Sequence, residues 1–264
     1  MKSVAIVAAE EKDPDFRYRR AVGEFFREHG CEVCYGASAD VSLIVVIGGD
    51  GSILHAARYA APADIPILGV NLGRVGYMAE LEVSELSLAD KIFSDEYSTE
   101  RRMMLSVSVI KKGGEVSASM TALNDAVISN GAVSRMVDIE LFCDGSCVNR
   151  YRADGLIIAT PTGSTAYSLA GGGAVVDPAL DCICVTPVSS HLTNAKPIIF
   201  NAKTKLEVRD NKRTRGELYL TVDGSDNYKL EDGDSVCVTK SDTVTKLLKL
   251  KNNSFYDILN SRMS

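Results

Sequence analysis

Apolar positions fall into short runs whose period changes along the chain. Residues 3–9 (SVAIVAA) form a continuous apolar run, the pattern of a strand covered on both faces. Asp13 then stands where it can cap a helix with Pro14 in its first turn. Tyr18, Val22, Phe25 and Phe26 recur at helical spacing until Gly30 ends the segment. A short strand at residues 31–35 precedes a second buried run, residues 42–47 (SLIVVI), which leads directly into Gly48-Gly49-Asp50-Gly51. Residues 52–59 predict the next helix, and residues 66–70 another buried strand ending at Asn71. This β-α-β-β-α-β order predicts a small open α/β domain in which ligands gather at the carboxyl ends of the strands.

From about residue 97 the pattern changes to short alternating strands at residues 105–110, 206–208, 218–222, 236–238 and 244–250. Turns such as Lys112-Gly113-Gly114, Asp144-Gly145 and Glu231-Asp232-Gly233-Asp234 separate them. A largely antiparallel, β-rich and sandwich-like second domain is expected. Ser254 can cap a short terminal helix whose Phe255, Ile258 and Leu259 need an apolar surface, and the tail is expected to return to the first domain. The expected division is residues 1–96 with the tail 252–264 for the α/β domain, and residues 97–251 for the β-rich domain. No internal repeat or low-complexity linker interrupts the 264 residues.

Composition narrows the partners. With 45% apolar and 24% charged residues the chain can bury a full core, so disorder is not expected. A net charge of −6 argues against a nucleic-acid backbone as main partner. Lys111-Lys112 and Lys212-Arg213 sit beside turn residues and read as solvated loop charges. No window approaches the roughly 18 apolar residues of a membrane span, and no signal-peptide core follows Met1, so a cytoplasmic location without membrane contact is expected. Of seven cysteines, Cys143, Cys182, Cys184 and Cys237 fall in apolar runs, as reduced buried thiols do. Cys31 and Cys34 form a C-x-x-C pair, but the matching second pair of a zinc site is absent, and small core thiols are the expected reading.

Three segments carry candidate chemistry. In Gly48-Gly49-Asp50-Gly51, three glycines at a strand end let backbone N–H groups approach a phosphate while the carboxylate points outward. The same residues also fit a tight strand-helix turn with Asp50 as N-cap. Gly49-x-Gly51-x-x-Leu54 lacks the last glycine of a dinucleotide fingerprint, and no G-x-x-x-x-G-K-[ST] occurs. The second segment runs from Asp154-Gly155 through an apolar strand to Thr160-Pro161-Thr162-Gly163-Ser164-Thr165-Ala166-Tyr167, followed by Gly171-Gly172-Gly173. A hydroxyl-rich turn opening a helix suits a nucleotide, and three hydroxyls, a glycine and an aromatic in six residues exceed what capping alone requires. In the third, Asn124-Asp125 before an apolar strand offers donor and acceptor edges to ribose hydroxyls, or simply marks a turn.

Gly48-Gly49-Asp50-Gly51-Ser52, Gly69-Val70-Asn71 with Gly73, Gly76 and Tyr77, Arg102 to Leu105, Asn124-Asp125, the Asp154 to Tyr167 run and Val222-Asp223-Gly224 together resemble the ATP-NAD kinase family in order and approximate spacing. The resemblance spans nearly the whole chain. Its first motif is shared with diacylglycerol, sphingosine and phosphofructo-kinases, whereas the Asp154 to Tyr167 run is specific to NAD kinases. Three positions depart from the family pattern. Ser52 replaces the usual Thr, Asp125 the commoner Glu, and Ser190-His191 through Ala195-Lys196-Pro197 a usual Pro-His-x-Leu-x-Asn-Arg-Pro.

The resemblance implies an α/β domain and a β-rich domain that clamp NAD between them, in a homodimer or homotetramer. ATP or polyphosphate, with Mg²⁺, would be the donor and NADP the product. Asp50 would be the general base toward the 2′-hydroxyl, with Gly49 and Gly51 on the phosphates. Asn124 and Asp125 would hold the nucleotide, Asp125 through ribose hydroxyls. Thr162, Thr165, Ala166 and Tyr167 would frame the adenine. Tyr77 would stack on it or serve core packing, and Asp154 would meet the nicotinamide carboxamide. Asp223 would lie near the phosphates or metal, or make a hairpin turn. Asn71 and Arg152 are further nucleotide-binding positions by the same resemblance.

His29 is expected to be solvated at a helix end, and His55 to face the phosphates or the helix surface. His191 matches a family position. No histidine has a metal-ligating partner at useful spacing, so no protein-held metal site is expected. A diacylglycerol-type lipid or sphingoid kinase is the rival enzyme, opposed by the polar turn at residues 160–167. A non-catalytic dinucleotide sensor is the third reading, opposed by the intact Asp50.

Overall fold

The short apolar runs become buried strands of a parallel sheet in the computed structural model, which describes residues 1–73, 76–131, 136–190, 195–211 and 217–263. His191, Asn194, Lys212 and Arg213 lie outside the described residues. The chain divides into two compact units, Met1–Arg102 with Thr243–Ser264, and Met103–Asp242.

In the first unit, β1 (Ser3–Ala8), β2 (Glu32–Tyr35), β3 (Leu43–Ile47), β4 (Ile67–Asn71) and β5 (Leu81–Glu82) run parallel. The spatial order β2-β1-β3-β4 places the topological switch between β1 and β3, and the Gly48–Gly51 turn is the carboxyl end of β3. Every residue of β3 and β4 is buried, as expected of strands covered on both faces. Helix α1 (Arg17–Glu28) buries Val22 and Phe26 against this sheet.

Two helix starts differ from expectation. Phe16 takes a left-handed φ of 57°, so α1 begins at Arg17 and Pro14 stays outside it. Asp13 still caps the helix, accepting the N–H groups of Tyr18 and Arg19 at 3.0 and 3.1 Å and pairing with the Arg19 guanidinium. Helix α2 (Asp50–Ala60) starts two residues early, with extended Gly49 as N-cap, so Asp50 sits inside the first turn. A 3-10 stretch at Val83–Ile92 was not foreseen; a reciprocal cap between Glu82 and Glu85 opens it.

The chain crosses into the second unit within β6 (Ser98–Ile110). Then follow β7 (Val116–Ala122), β8 (Asp125–Asn130), β9 (Val137–Cys143), β10 (Ser146–Ala153) and β11 (Gly155–Ala159). After α3 (Tyr167–Ala170) come β12 (Cys182–Val188), β13 (Ile198–Asn201), β14 (Leu206–Asp210), β15 (Leu218–Val222), β16 (Asp226–Leu230) and β17 (Ser235–Lys249). One antiparallel sheet has the order β13-β12-β11-β8-β15-β16. The other runs β10-β9-β14-β17, with β6 pairing β17 and β7. Ile128, Ile158, Ile183 and Leu220 of the first sheet share one buried cluster with Leu105, Leu141, Leu206 and Val236 of the second, which makes the unit a sandwich.

Residues 236–238 and 244–250 do not form two strands, as expected, but parts of the single strand β17. The intervening Lys240-Ser241-Asp242 lacks the glycine or proline that would turn the chain, and Ser241 and Thr245 are buried. The far end of β17 returns to the first unit and pairs β4 in parallel through Leu247 and Ile67. Helix α4 (Phe255–Met263) follows. Ser254 and Asp257 cap it reciprocally, and Phe255, Ile258 and Leu259 are half-buried.

Lys111 proves to be ion-paired with Glu231 and the buried Asp234, both at 3.0 Å, instead of lying solvated. Cys31, Cys182 and Cys184 are buried free thiols, whereas Cys143 and Cys237 are only half-buried and Cys34, on the edge strand β2, is exposed. Among the described residues no helix is long and apolar enough to cross a membrane.

Phe26 is fully buried in the first unit's core. Phe26→Ala should lower the unfolding free energy of that unit by about 3–5 kcal/mol, read as an earlier denaturant midpoint in the Phe26→Ala protein. A midpoint equal to the parent's would contradict the packing described.

Candidate functional site

In the first unit the sheet order delivers Asp50 to the switch point, at the carboxyl end of β3 and the start of α2. Its carboxylate is held from across the site. Oδ2 accepts the Tyr77 N–H at 2.8 Å and Oδ1 the Met78 N–H at 3.1 Å. This approach requires glycine at position 76, since a Cβ there would lie 2.0 Å from Asp50 Oδ1. Asn71, buried at the end of β4, donates its amide to the Gly73 carbonyl at 2.7 Å and shapes the same loop. The Tyr77 ring is half-buried and lines a pocket of about 510 Å³ with Arg102, Lys249, Lys251, Phe255 and Ile258. The Arg262 guanidinium stands 5.9 Å from the ring centroid.

Gly49 and Gly51 leave the backbone of the turn open, and the Lys12 ammonium lies 3.5 Å from where a Gly49 side chain would begin. Lys12 is exposed in the turn after β1, which is tied to the glycine turn by the Ala9 N–H donating to the Ile47 carbonyl at 3.3 Å. Sequence reasoning missed Lys12, because its relevance comes from the β1–β3 pairing and not from any motif. It also missed Glu80, whose one signal was a carboxylate inside the apolar stretch Met78-Ala79-Glu80-Leu81.

In the second unit three of the predicted segments converge. Thr160, fully buried, donates its N–H to the Asn124 carbonyl at 2.8 Å and its hydroxyl to the Leu123 carbonyl at 2.6 Å. A Cβ at Gly163 would lie 2.1 Å from the Asn124 oxygen, so only glycine lets the hydroxyl-rich turn press against the Asn124-Asp125 turn. Asp223 secures that turn from the other side. Its carboxylate accepts the N–H groups of Leu123, Asn124 and Asp125 at 2.9, 2.8 and 3.1 Å, and its own N–H donates to the Asp125 carbonyl at 3.0 Å. Asp223 takes a φ of 48° in the β15–β16 hairpin, so it is at once a turn residue and a support for the Asn124-Asp125 pair. Asp125 is 5% exposed, and burial together with the neighbouring Asp223 charge pushes its carboxyl from 3.8 up to about 7.

The predicted helix after Pro161 is reduced to a 3-10 turn at Thr162–Thr165 and the single turn α3. Ala166, with φ −100° and ψ −129°, interrupts the two, so no long helix dipole is available there. Thr162 is buried, Thr165 and Ala166 are half-buried, and Tyr167 is 47% exposed. Ser164 faces inward, donating to the Pro161 carbonyl and accepting the Val176 N–H. Arg152 and Asp154 are both exposed, and the Asp154 N–H donates to the Val188 carbonyl at 2.9 Å.

His29 is not merely solvated: Nε2 lies 3.1 Å from Asp90, Nδ1 2.8 Å from the Phe25 carbonyl, and the ring stacks on Phe93. His55 is exposed on α2, edge-on to Tyr59. Among the described residues no three His, Cys, Asp or Glu side chains are grouped to hold a metal ion.

A fixed carboxylate beside glycine N–H groups at a helix start is equipment for phosphoryl transfer, and the fold and its polar turns define a nucleotide-binding phosphotransferase. Comparison with known proteins narrows that class. Residues 6–97 match the model of the ATP-NAD kinase N-terminal domain and residues 123–250 that of the ATP-NAD kinase C-terminal domain. The NAD kinase of Thermoanaerobacter sp. (strain X514) is 37% identical over 283 aligned positions, covering 100% of this chain and 99% of the relative. That of Symbiobacterium thermophilum is 42% identical over 229, covering 86% and 80%. An NAD kinase from Archaeoglobus fulgidus in complex with ATP superposes with a TM-score of 0.79 at 27% identity, covering 98% of each chain. Yeast NADH kinase complexed with NADH shares the fold, with a TM-score of 0.85 at 21% identity over 100% of this chain and 87% of that one. The chain belongs to the ATP-NAD kinase family, and its activity is phosphotransfer of the NAD kinase kind. Relatives aligned along the full length leave the diacylglycerol-kinase alternative without support.

The raised Asp125 carboxyl sets a pH dependence. Below about pH 4 the folded and unfolded chains both hold the proton; between about 4 and 7 only the folded chain keeps it, so stability falls as pH rises and levels off above 7. The shift corresponds to at most about 4 kcal/mol. Asp125→Asn does not titrate, so its stability relative to the parent should climb across that window in urea titrations at stepped pH. A difference independent of pH between 4 and 7 would refute the burial argument.

Proposed function

We propose that the protein transfers the γ-phosphoryl group of ATP to the 2′-hydroxyl of the adenosine ribose of NAD, giving NADP and ADP, with Asp50 as general base. The observation that carries this reading is the seat of Asp50, whose two oxygens are fixed by adjacent backbone N–H groups at the switch point of the sheet. Each oxygen spends one lone pair on that seat and keeps one for an incoming hydroxyl proton. The 2′-oxygen attacks the γ-phosphorus as its proton passes to Asp50, and the bond to the β-phosphate oxygen breaks.

The open backbone of Gly49 and Gly51, the start of α2 and the Lys12 ammonium supply positive potential for the phosphates. Mg²⁺ enters as the companion of the triphosphate, whose oxygens suit it, and supplies charge neutralisation when bound. Asn124 and Asp125 hold the ribose, and Asp125, titrating at about 7, can accept from its hydroxyls when ionised. Thr162, Thr165, Ala166 and Tyr167 frame the adenine, with Asn71 and Tyr77 contributing from the loop beside Asp50. Asp154 and Arg152, both exposed, meet the nicotinamide end. Asp223 acts through the turn that it supports. Residues 1–96 with 252–264 bring Asp50 and the phosphate turn, residues 97–251 bring most of the nucleotide contacts, and NAD lies between the two domains. A cytoplasmic homodimer or homotetramer completes the reading, by likeness to the family.

Purified protein given MgATP and NAD should form NADP, detectable with an NADP-specific dehydrogenase. Asp50→Asn should lower kcat by about 10²–10⁴-fold with KM for NAD little changed. Turnover undiminished in Asp50→Asn would refute the base assignment.

A further inference from the structure

Glu80 is a carboxylate only 4% exposed, two residues beyond the Tyr77–Met78 segment that holds Asp50. Its Oε1 accepts two consecutive N–H groups of the returning chain, Leu250 at 2.8 Å and Lys251 at 2.7 Å. Its Oε2 pairs with the Lys249 ammonium, which is itself mostly buried. On its other side the Glu80 N–H donates to the Gly69 carbonyl in β4 at 2.9 Å. Lys91 adds a second tie by donating to the Leu250 carbonyl at 2.8 Å.

A buried ion pair is a poor source of net stability, because desolvation offsets its attraction. Its worth lies in fixing one geometry. Two hydrogen bonds to one carboxylate oxygen set both the height and the angle of the chain that carries Glu80. The loop of residues 76–80 is pinned at Glu80 between β4 and the end of β17, and the peptide that orients Asp50 lies only two residues before it.

We infer that Glu80 is a positioning residue for phosphoryl transfer: it anchors the Tyr77–Met78 peptide to the carboxy-terminal return, and so fixes where the Asp50 carboxylate points. The inference rests on Asp50 being the base. It assigns a catalytic consequence to residues 249–251, which follow the sandwich and touch no reacting atom in the proposed reaction.

The direct test pairs two variants with amide hydrogen exchange. As the control, Glu80→Gln made together with Lys249→Met keeps an oxygen acceptor for both N–H groups without stranding the buried ammonium against an amide donor, and kcat should stay within about threefold of the parent's. Glu80→Leu combined with Lys249→Met removes the pin without leaving a buried charge unpaired. This double variant should lose about 10–100-fold in kcat with KM for NAD within about twofold, the signature of a misplaced base. Its Tyr77 and Met78 amides should exchange at least about tenfold faster than the parent's. Parent-like kcat in the Glu80→Leu double variant overturns the inference, and so does a fall in kcat without faster exchange at Tyr77 and Met78. If the Glu80→Leu double variant does not fold, the parent's exchange decides: the anchor requires Tyr77 and Met78 to be protected to the same degree as Leu250 and Lys251. Free exchange at the first pair alone overturns it. Exchange is read without turnover, so a parent unable to make NADP would remove the proposed reaction while leaving the anchor to be judged on its own.

Discussion

A carboxylate seated on two adjacent backbone N–H groups is the constraint around which the first unit is arranged. Asp50 reaches Tyr77 and Met78 only because the sheet brings β3 and β4 side by side and because position 76 has no side chain to occupy the space of Oδ1. A flexible carboxylate would sample many directions, and the base role proposed for Asp50 needs one. Gly76 serves that end by letting backbone stand where a Cβ would occupy the space of Oδ1. Glu80 extends the same logic one layer outward, to the end of β17.

The second unit solves a related problem with a different device. Its Asn124-Asp125 turn is compressed between the Thr160–Gly163 turn and the Asp223 carboxylate, with the N–H groups of Leu123, Asn124, Asp125 and Gly163 and the Leu123 carbonyl given side-chain partners. Burying Asp125 beside Asp223 costs stability at neutral pH, since one of two close carboxylates must hold a proton or bear the repulsion. The ribose contact proposed for Asp125 is one reason such a cost would be retained. The polar turn that follows β11 is held in the same way, with Ser164 and Thr160 turned inward to bond its backbone and Thr165 and Tyr167 left nearer the solvent.

Much of this was legible in the order of residues. Continuous apolar runs gave β1, β3 and β4, the glycine turn marked the end of β3, and the change to alternating strands marked the sandwich. Legibility failed where a feature depends on contacts distant in sequence. The single strand β17 was read as two because Lys240-Ser241-Asp242 is polar, although burial of Ser241 and Thr245 keeps the strand continuous. The turn after Pro161 reads as the opening of a helix, but capping residues announce a start and say nothing of its length or of the break at Ala166. Lys12 and Glu80 carry no motif, and only strand pairing brings the first to Gly49 and the second to Leu250. Asp223 resembled either a phosphate ligand or a turn, and its three N–H partners became visible only once β15 was paired with β8.

The seat of Asp50 can be disturbed by one methyl group. Gly76 does not require a left-handed backbone, so alanine there tests space alone: its Cβ would stand 2.0 Å from Oδ1 and force the carboxylate off Tyr77 and Met78. The most direct measurement is the turnover of Gly76→Ala at saturating MgATP and NAD. The account predicts a loss of about 100-fold in kcat with the circular-dichroism spectrum and KM for NAD retained. A Gly76→Ala enzyme that turns over like the parent would contradict it.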